Sequence, residues 1–161
     1  MRKSKFLSIL LALCLTLSLL PAAALAAETT ANDADALAAA IQNAAAGDTV
    51  RLGADVTLTN TLTVNKDITL DLGGNTLTVA TSGDGIVVEN AALTLTNTGS
   101  TGKYVFNCSA GGSDGIFVNN TDATTTSTLN INSDVEIHVN SSVNSAIHAY
   151  APAGKAGVNM N

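Results

Sequence analysis

The chain has 161 residues, of which 12% are charged and 3% aromatic, and its formal net charge is −6. An acidic surface repels phosphate backbones and anionic lipid headgroups, which makes nucleic acid and membranes poor partners. Cys108 is the one cysteine outside the N-terminal apolar segment, so no internal disulfide is expected, and no cysteine and histidine residues have zinc-site spacing. We therefore expect neither a metal nor another cofactor.

The first 26 residues are organised as a signal peptide. Arg2, Lys3 and Lys5 precede an apolar run from Phe6 to Leu20, and Ala24-Leu25-Ala26 supplies the small residues of a cleavage site. The run is shorter than the roughly 20 residues that span a bilayer, so we expect cleavage after Ala26 rather than anchoring. The remainder has four basic and 13 acidic residues, a charge of 4 − 13 = −9. The protein is thus expected to be secreted or displayed at the cell surface.

A helix is predicted from roughly Asp35 to Ala45, within a linker and capping segment at residues 27–48. Asp33 or Asp35 can accept hydrogen bonds from the first free backbone N–H groups of this helix. Leu37 and Ile41 give it a narrow apolar stripe. A short helix of this kind needs an apolar partner, so we expect it to cap the first coil of the structure that follows.

Residues 49–150 alternate between apolar and polar side chains with a period of two, which is typical of half-buried strands. Twelve short segments of this type are separated by Gly, Asn, Asp and Ser. Two of them share a motif, because Asp84–Asn90 is matched 30 residues later (114 − 84) by Asp114–Asn120. A weaker third copy occupies Ser145–Ala149. A fixed offset of this size indicates a repeating structural unit.

The repeat predicts an all-β fold, a right-handed parallel β-helix of about four three-strand coils with an N-terminal α-helical cap. Ile86, Ile116 and Ile147 should then stack in one inward column. An antiparallel β-sandwich is the competing fold, since it also has short alternating strands. It would not require the 30-residue repeat.

Two segments carry a resemblance to a known group of proteins. With the predicted helix, Gly47–Leu52 and Ile68–Leu77 resemble the N-terminal coils of the pectate-lyase-like superfamily. More narrowly, they resemble the β-helical segments of large exported, adhesin-like surface proteins of Gram-positive bacteria. The resemblance implies the fold rather than an activity, because the superfamily includes lyases, hydrolases, adhesins and inert stalks.

Candidate catalytic residues are few. A polysaccharide lyase needs carboxylates for Ca²⁺ and a basic side chain for proton removal, but Arg51 is the only arginine after the signal peptide. Asp84 and Asp114 each precede glycine, which favours a role in turns. Asn120–Asp122 resembles the first motif of polygalacturonase-like hydrolases, whose later motifs are missing. We therefore predict no catalytic residue.

A ligand-binding surface is predicted on the second face of the coils. Tyr104 and Phe106 would lie one coil before Glu136 and His138, and aromatic rings beside polar groups are common in binding patches. The alternative register places Tyr104 and Phe106 inward and Val105 outward. A one-residue slip separates the two interpretations, and both remain open.

Residues 151–161 form a Gly/Ala-rich tail in which we predict no strand or helix that could cap the last coil. We expect this uncapped end to be a truncation point and to self-associate. The favoured function is a non-catalytic exported cell-surface module, adhesin-like or stalk-like. The alternatives are the N-terminal part of a polysaccharide lyase or glycoside hydrolase, or a glycan-binding domain, with an extracellular glycan or a cell-wall or host surface as partner.

Overall fold

A computed structural model describes residues 25–100, 102–106, 113–139 and 144–161. Most of the predicted signal peptide, together with Cys108, lies outside the described residues. The described elements are, in chain order, β1 (Glu28–Ala31), α1 (Ala34–Asn43), β2 (Thr49–Leu52), β3 (Val56–Leu58), β4 (Leu62–Val64), β5 (Ile68–Asp71), β6 (Thr76–Val79), β7 (Ile86–Glu89), β8 (Ala92–Thr96), β9 (Lys103–Phe106), β10 (Asp114–Asn119), β11 (Thr126–Ile131), β12 (Glu136–Val139), β13 (Ser145–Tyr150) and β14 (Lys155–Met160).

The strands form three sheets in which every pairing between described strands is parallel. Sheet A has the order β1-β2-β5-β8-β11-β14, sheet B the order β3-β6-β9-β12, and sheet C the order β4-β7-β10-β13. Strands three apart in the chain are therefore neighbours in space. The four predicted three-strand coils are confirmed, as β2–β4, β5–β7, β8–β10 and β11–β13. This arrangement is consistent with a parallel β-helix.

The predicted inward column of isoleucines is also confirmed. Ile116 is in register with Ile86 on one side and with Ile147 on the other, and Leu62 precedes Ile86 in the same column. Ile86 and Ile116 are fully buried, whereas Ile147 in the last coil is only partly buried. Alternate residues of each strand thus face a single apolar core that runs through all coils.

The helix lies where the sequence predicts a cap. Asp33 Oδ1 accepts a hydrogen bond of 2.7 Å from Ala36 N, and buried Leu37 and Ile41 pack α1 onto β1–β4. Lys66 Nζ then fastens the other end of the helix, donating to the carbonyl oxygens of Gln42 at 2.6 Å and Ala44 at 2.9 Å. The first coil is therefore covered on its open side.

Two strands differ from the sequence prediction. The segment predicted as a linker contains β1, which pairs with β2. The expectation that the tail has no strand is wrong, because β14 pairs with β11 over six residues. Val158 stacks beneath Leu129 in the inward column, and Asn159 Nδ2 donates to Asn130 Oδ1 at 2.8 Å. The alternation of Ala156, Val158 and Met160 is enough to continue sheet A despite the neighbouring glycines.

The glycines of the repeated Asp-Gly-Ile motif make room for one aromatic ring. A Cβ placed on Gly115 would lie 2.5 Å from Cε1 of Phe106, and one on Gly85 would lie 3.2 Å from the same atom. In the fourth coil Val139 takes the position of Phe106, and Ala146 takes the position of Gly115. The motif therefore changes from glycine to alanine where the ring is replaced by a smaller side chain.

Candidate functional site

The ligand-binding patch predicted around Tyr104, Phe106, Glu136 and His138 does not form. Tyr104 and Phe106 are 0% exposed and meet edge to face with their ring centroids 4.3 Å apart. They face the core in register with Ile137 and Val139, while Glu136 and His138 are exposed on the outer face of sheet B. The alternative register is therefore correct, because two large rings stabilise the fold more when they are buried than when they stand in water.

Glu136 and His138 belong instead to an exposed ionic group with Lys103. Glu136 Oε2 lies 3.0 Å from His138 Nε2 and 3.5 Å from Lys103 Nζ. The hydrogen bond from His138 and then the charge of Lys103 lower the pKa of Glu136 below its usual value. Exposed ion pairs of this kind contribute little to stability. The group provides neither an apolar contact surface nor an enclosed site.

Asp84 and Asp114 stack on adjacent coils, and both are bound to nearby polar groups. Asp84 Oδ1 accepts from Asp114 N at 2.8 Å, a bond between adjacent coils rather than within a turn. The carboxylate of Asp114 is buried and lies 2.7 Å from His148 Nδ1, and it also accepts from Asn144 Nδ2 at 3.2 Å. Since a carboxylate only accepts, Nδ1 of His148 carries the hydrogen of this bond, and Nε2 remains for another partner.

The outer face of sheet C carries a cluster of three rings, those of Phe117, His148 and Tyr150. Phe117 is in register with Val87 and His148, and the neighbouring row contains Glu89, Asn119 and Tyr150. The Phe117 ring centroid lies 5.1 Å from that of His148, and it lies 6.4 Å from that of Tyr150, with the Phe117 and Tyr150 planes 24° apart. Tyr150 is 51% exposed. We call these six residues the aromatic face.

Sequence reasoning missed the aromatic face although the repeat contained its signal. The motif copies align Phe117 with His148, and an inward Ile116 requires Phe117 to point outward. Tyr150 lies one residue beyond the third motif copy, so it was not aligned with Asn119. The aromatic face therefore replaces the predicted patch as the candidate site.

The other candidate catalytic residues are bound to neighbouring parts of the chain. Thr124 donates to Asp122 Oδ1 through both its backbone N and its hydroxyl at 2.8 Å, and these bonds lower the pKa of Asp122. Buried Asn120 donates to the carbonyl oxygens of Thr125 and Lys155. Arg51 lies 3.8 Å from Asp71. These contacts bind neighbouring segments of the chain and leave no paired acid and base among these residues.

Asp71 is the most deeply buried of these carboxylates, at 2% exposure. It accepts from Gly73 N and Thr98 N at 2.9 Å each and from Thr98 Oγ1 at 2.6 Å. Burial acts to raise the pKa of Asp71, but the hydrogen bonds from Thr98 and Gly73 and the charge of Arg51 together lower it below its usual value. The carboxylate thus joins the second coil to the third.

Across the described ranges, no three His, Cys, Asp or Glu side chains are grouped so that they could hold a metal ion. None of the helical structure that is described is both long and apolar enough to cross a membrane.

Comparison with protein-family models, with curated proteins and with solved structures gave no match.

Proposed function

We propose that this protein is a non-catalytic exported cell-surface module, an adhesin-like or stalk-like right-handed parallel β-helix. The observation that carries the proposal is the use of its polar side chains to join successive coils. Thr76 N donates to Asp55 at 2.7 Å and Ala92 N donates to Asp67 at 2.8 Å, each across a coil boundary. Carboxylates that bind backbone in this way serve a continuous scaffold rather than chemistry at a substrate.

The acidic composition and the predicted signal peptide support the exported location within this proposal. The pectate-lyase-like resemblance supports a right-handed coil. A general rule supports the same handedness, because crossover connections between parallel strands are right-handed in nearly all proteins. A carbohydrate-active lyase or hydrolase is the alternative. It would need a carboxylate pair or a basic side chain free to meet a substrate.

The first prediction is catalytic silence. The purified protein should release no unsaturated or reducing ends from pectin, alginate or similar polyanions, with or without Ca²⁺, because Arg51 and Asp122 are bound within the coils. A pectate lyase assayed in parallel provides the positive control. Reproducible turnover that disappears in Asp122→Asn or Arg51→Ala would contradict the non-catalytic function.

We further propose that the last coil binds a second copy of the protein. Val139, Val158 and Met160 occupy inward positions but are 42%, 37% and 75% exposed, whereas Phe106, Leu129 and Ile131 beside them are buried. Among the described strands, β12, β13 and β14 also lie at one end of the three sheets. Exposed core residues next to unpaired strand edges favour association.

Light scattering across a concentration series should therefore show a dimer that dissociates on dilution. Val158→Lys should shift the protein toward monomer, because a charge at the interface is costly to bury. Thr57→Lys, at an exposed position on the outer face of sheet B, should leave the association unchanged. A stable monomer at high concentration, with the backbone amides of β13 protected from hydrogen exchange, would contradict this proposal.

A further inference from the structure

The aromatic face differs chemically from the other outer surfaces of the coil. Its two rows combine the apolar Val87, three rings and the polar Glu89 and Asn119, whereas the outer face of sheet B presents an ionic group. Neighbouring strands are about 4.8 Å apart and alternate residues on a parallel strand about 6.6 Å apart, so adjacent positions are spaced to contact one sugar ring. The face is thus an open platform rather than a pocket.

The stacked rings define which part of a ligand would lie here. Phe117 is partly buried, and its ring centroid lies 6.4 Å from that of Tyr150, which is the most exposed ring of the face. Rings arranged this way contact flat apolar surfaces such as the C–H face of a pyranose. His148, with a side chain 40% exposed, has its Nδ1 bound to Asp114, which leaves Nε2 to meet a ligand. Sugar hydroxyl groups can both donate hydrogen bonds to and accept them from such a ring nitrogen.

The charge of the face selects among glycans. Its six residues include the carboxylate of Glu89 and no Lys or Arg. The protein after the signal peptide has 13 acidic and four basic residues. A polyuronate would be repelled, whereas a cation over aromatic rings and beside a carboxylate is attracted by both.

From this combination we infer that the aromatic face binds glycans that contain free amino sugars, with the pyranose on Tyr150 and Phe117 and the ammonium group near Glu89. The inference builds on the proposed surface-module function and gives that module a ligand class. An N-acetylated glycan keeps the stacking but loses the charge, so it should bind less tightly. An oligogalacturonate has no ammonium group and carries carboxylates, which the negative charge of the protein repels.

Calorimetric titration of the full-length exported protein with a glucosamine hexamer tests the inference at about pH 5.5, where the sugar amines are protonated. Binding should be about tenfold tighter than for the N-acetylglucosamine hexamer, and a galacturonate hexamer should not bind. Tyr150→Ala and Glu89→Gln should each weaken binding by about tenfold. Glu136→Gln makes the same chemical change on the outer face of sheet B and should leave the affinity unchanged.

Equal affinity for the two hexamers, no binding of the glucosamine hexamer, or an equal loss in Glu136→Gln would overturn the inference. Failure to bind would leave the proposed non-catalytic function in place, since that function is tested by turnover. Release of reducing ends from the bound hexamer would instead contradict the non-catalytic function while leaving the binding site intact. The two proposals therefore fail by different measurements.

Discussion

Replacing Phe106 with alanine is expected to lower the free energy of unfolding by about 3–5 kcal/mol. The ring is fully buried, contacts Tyr104 edge to face, and fills the space left by Gly85 and Gly115. Its removal would leave a cavity between the third coil and its neighbours, because the two glycines have no side chains to move into it. Urea denaturation monitored by circular dichroism measures the change. Val105→Ala, on the outward side of the same strand, should cost less than about 1 kcal/mol.

A double-mutant cycle can test the contact between the ring and the glycine. Gly115→Ala alone should destabilise the protein by about 1–3 kcal/mol, because the new methyl group meets both Phe106 and the carbonyl oxygen of Ala146. In a Phe106→Ala background the ring part of this clash disappears, while the carbonyl part remains. The combined loss should therefore be smaller than the sum of the single losses. Additive losses would contradict the packing of Phe106 against Gly115.

The register of β9 shows how far alternation alone can predict a strand. A period of two divides Lys103–Phe106 into two sides but does not say which side is inward. Tyr104 and Phe106 share one side, and Lys103 shares the other with Val105. Lys103 indicates which side is outward, since a lysine is seldom buried without a partner. The general fold could be predicted because twelve segments obeyed one pattern, whereas this register depended on a single side chain.

The C-terminal strand was harder to predict for a different reason. β14 includes Gly157 and follows Pro152 and Gly154, which weaken a strand signal. Its pairing depends on β11, which supplies a complete parallel partner. A strand of low intrinsic propensity can form where a neighbouring strand already offers its hydrogen bonds and an inward apolar column. A local sequence pattern does not reveal this kind of stabilisation by a neighbouring strand.

The aromatic face combines predictable and unpredictable parts. The repeat offset is sufficient to align Phe117 with His148, and the inward isoleucines fix the side from which both project. The bond between His148 and Asp114 joins residues 34 positions apart and depends on the rotamers of both side chains. Sequence alternation therefore predicts which rings share a face, but not the hydrogen bonds that orient them.

Asp71→Ala is expected to destabilise the protein by about 3 kcal/mol. The substitution removes the acceptor of three hydrogen bonds, from Gly73 N, Thr98 N and Thr98 Oγ1, at a site that is 2% exposed. The donors would be left in the turn between coils without an equivalent partner. Asp35→Ala, at an exposed position in the first turn of α1, is the matched control and should change stability by less than about 1 kcal/mol.

The same carboxylate should make stability depend on pH in acid. The folded-state pKa of Asp71 lies below its ordinary value of 3.8, because its hydrogen bonds and Arg51 favour the ionised form. Its stabilising contribution is therefore fully present above the unfolded-state pKa and is lost as the pH falls through the folded-state pKa. Asp71→Asn has no charge to lose at this position. The stability difference between the unmodified protein and Asp71→Asn should consequently narrow between about pH 5 and pH 2. Urea unfolding at intervals across that range measures the difference, and a gap that stays constant or widens in acid would show that Asp71 is not held ionised by the turn.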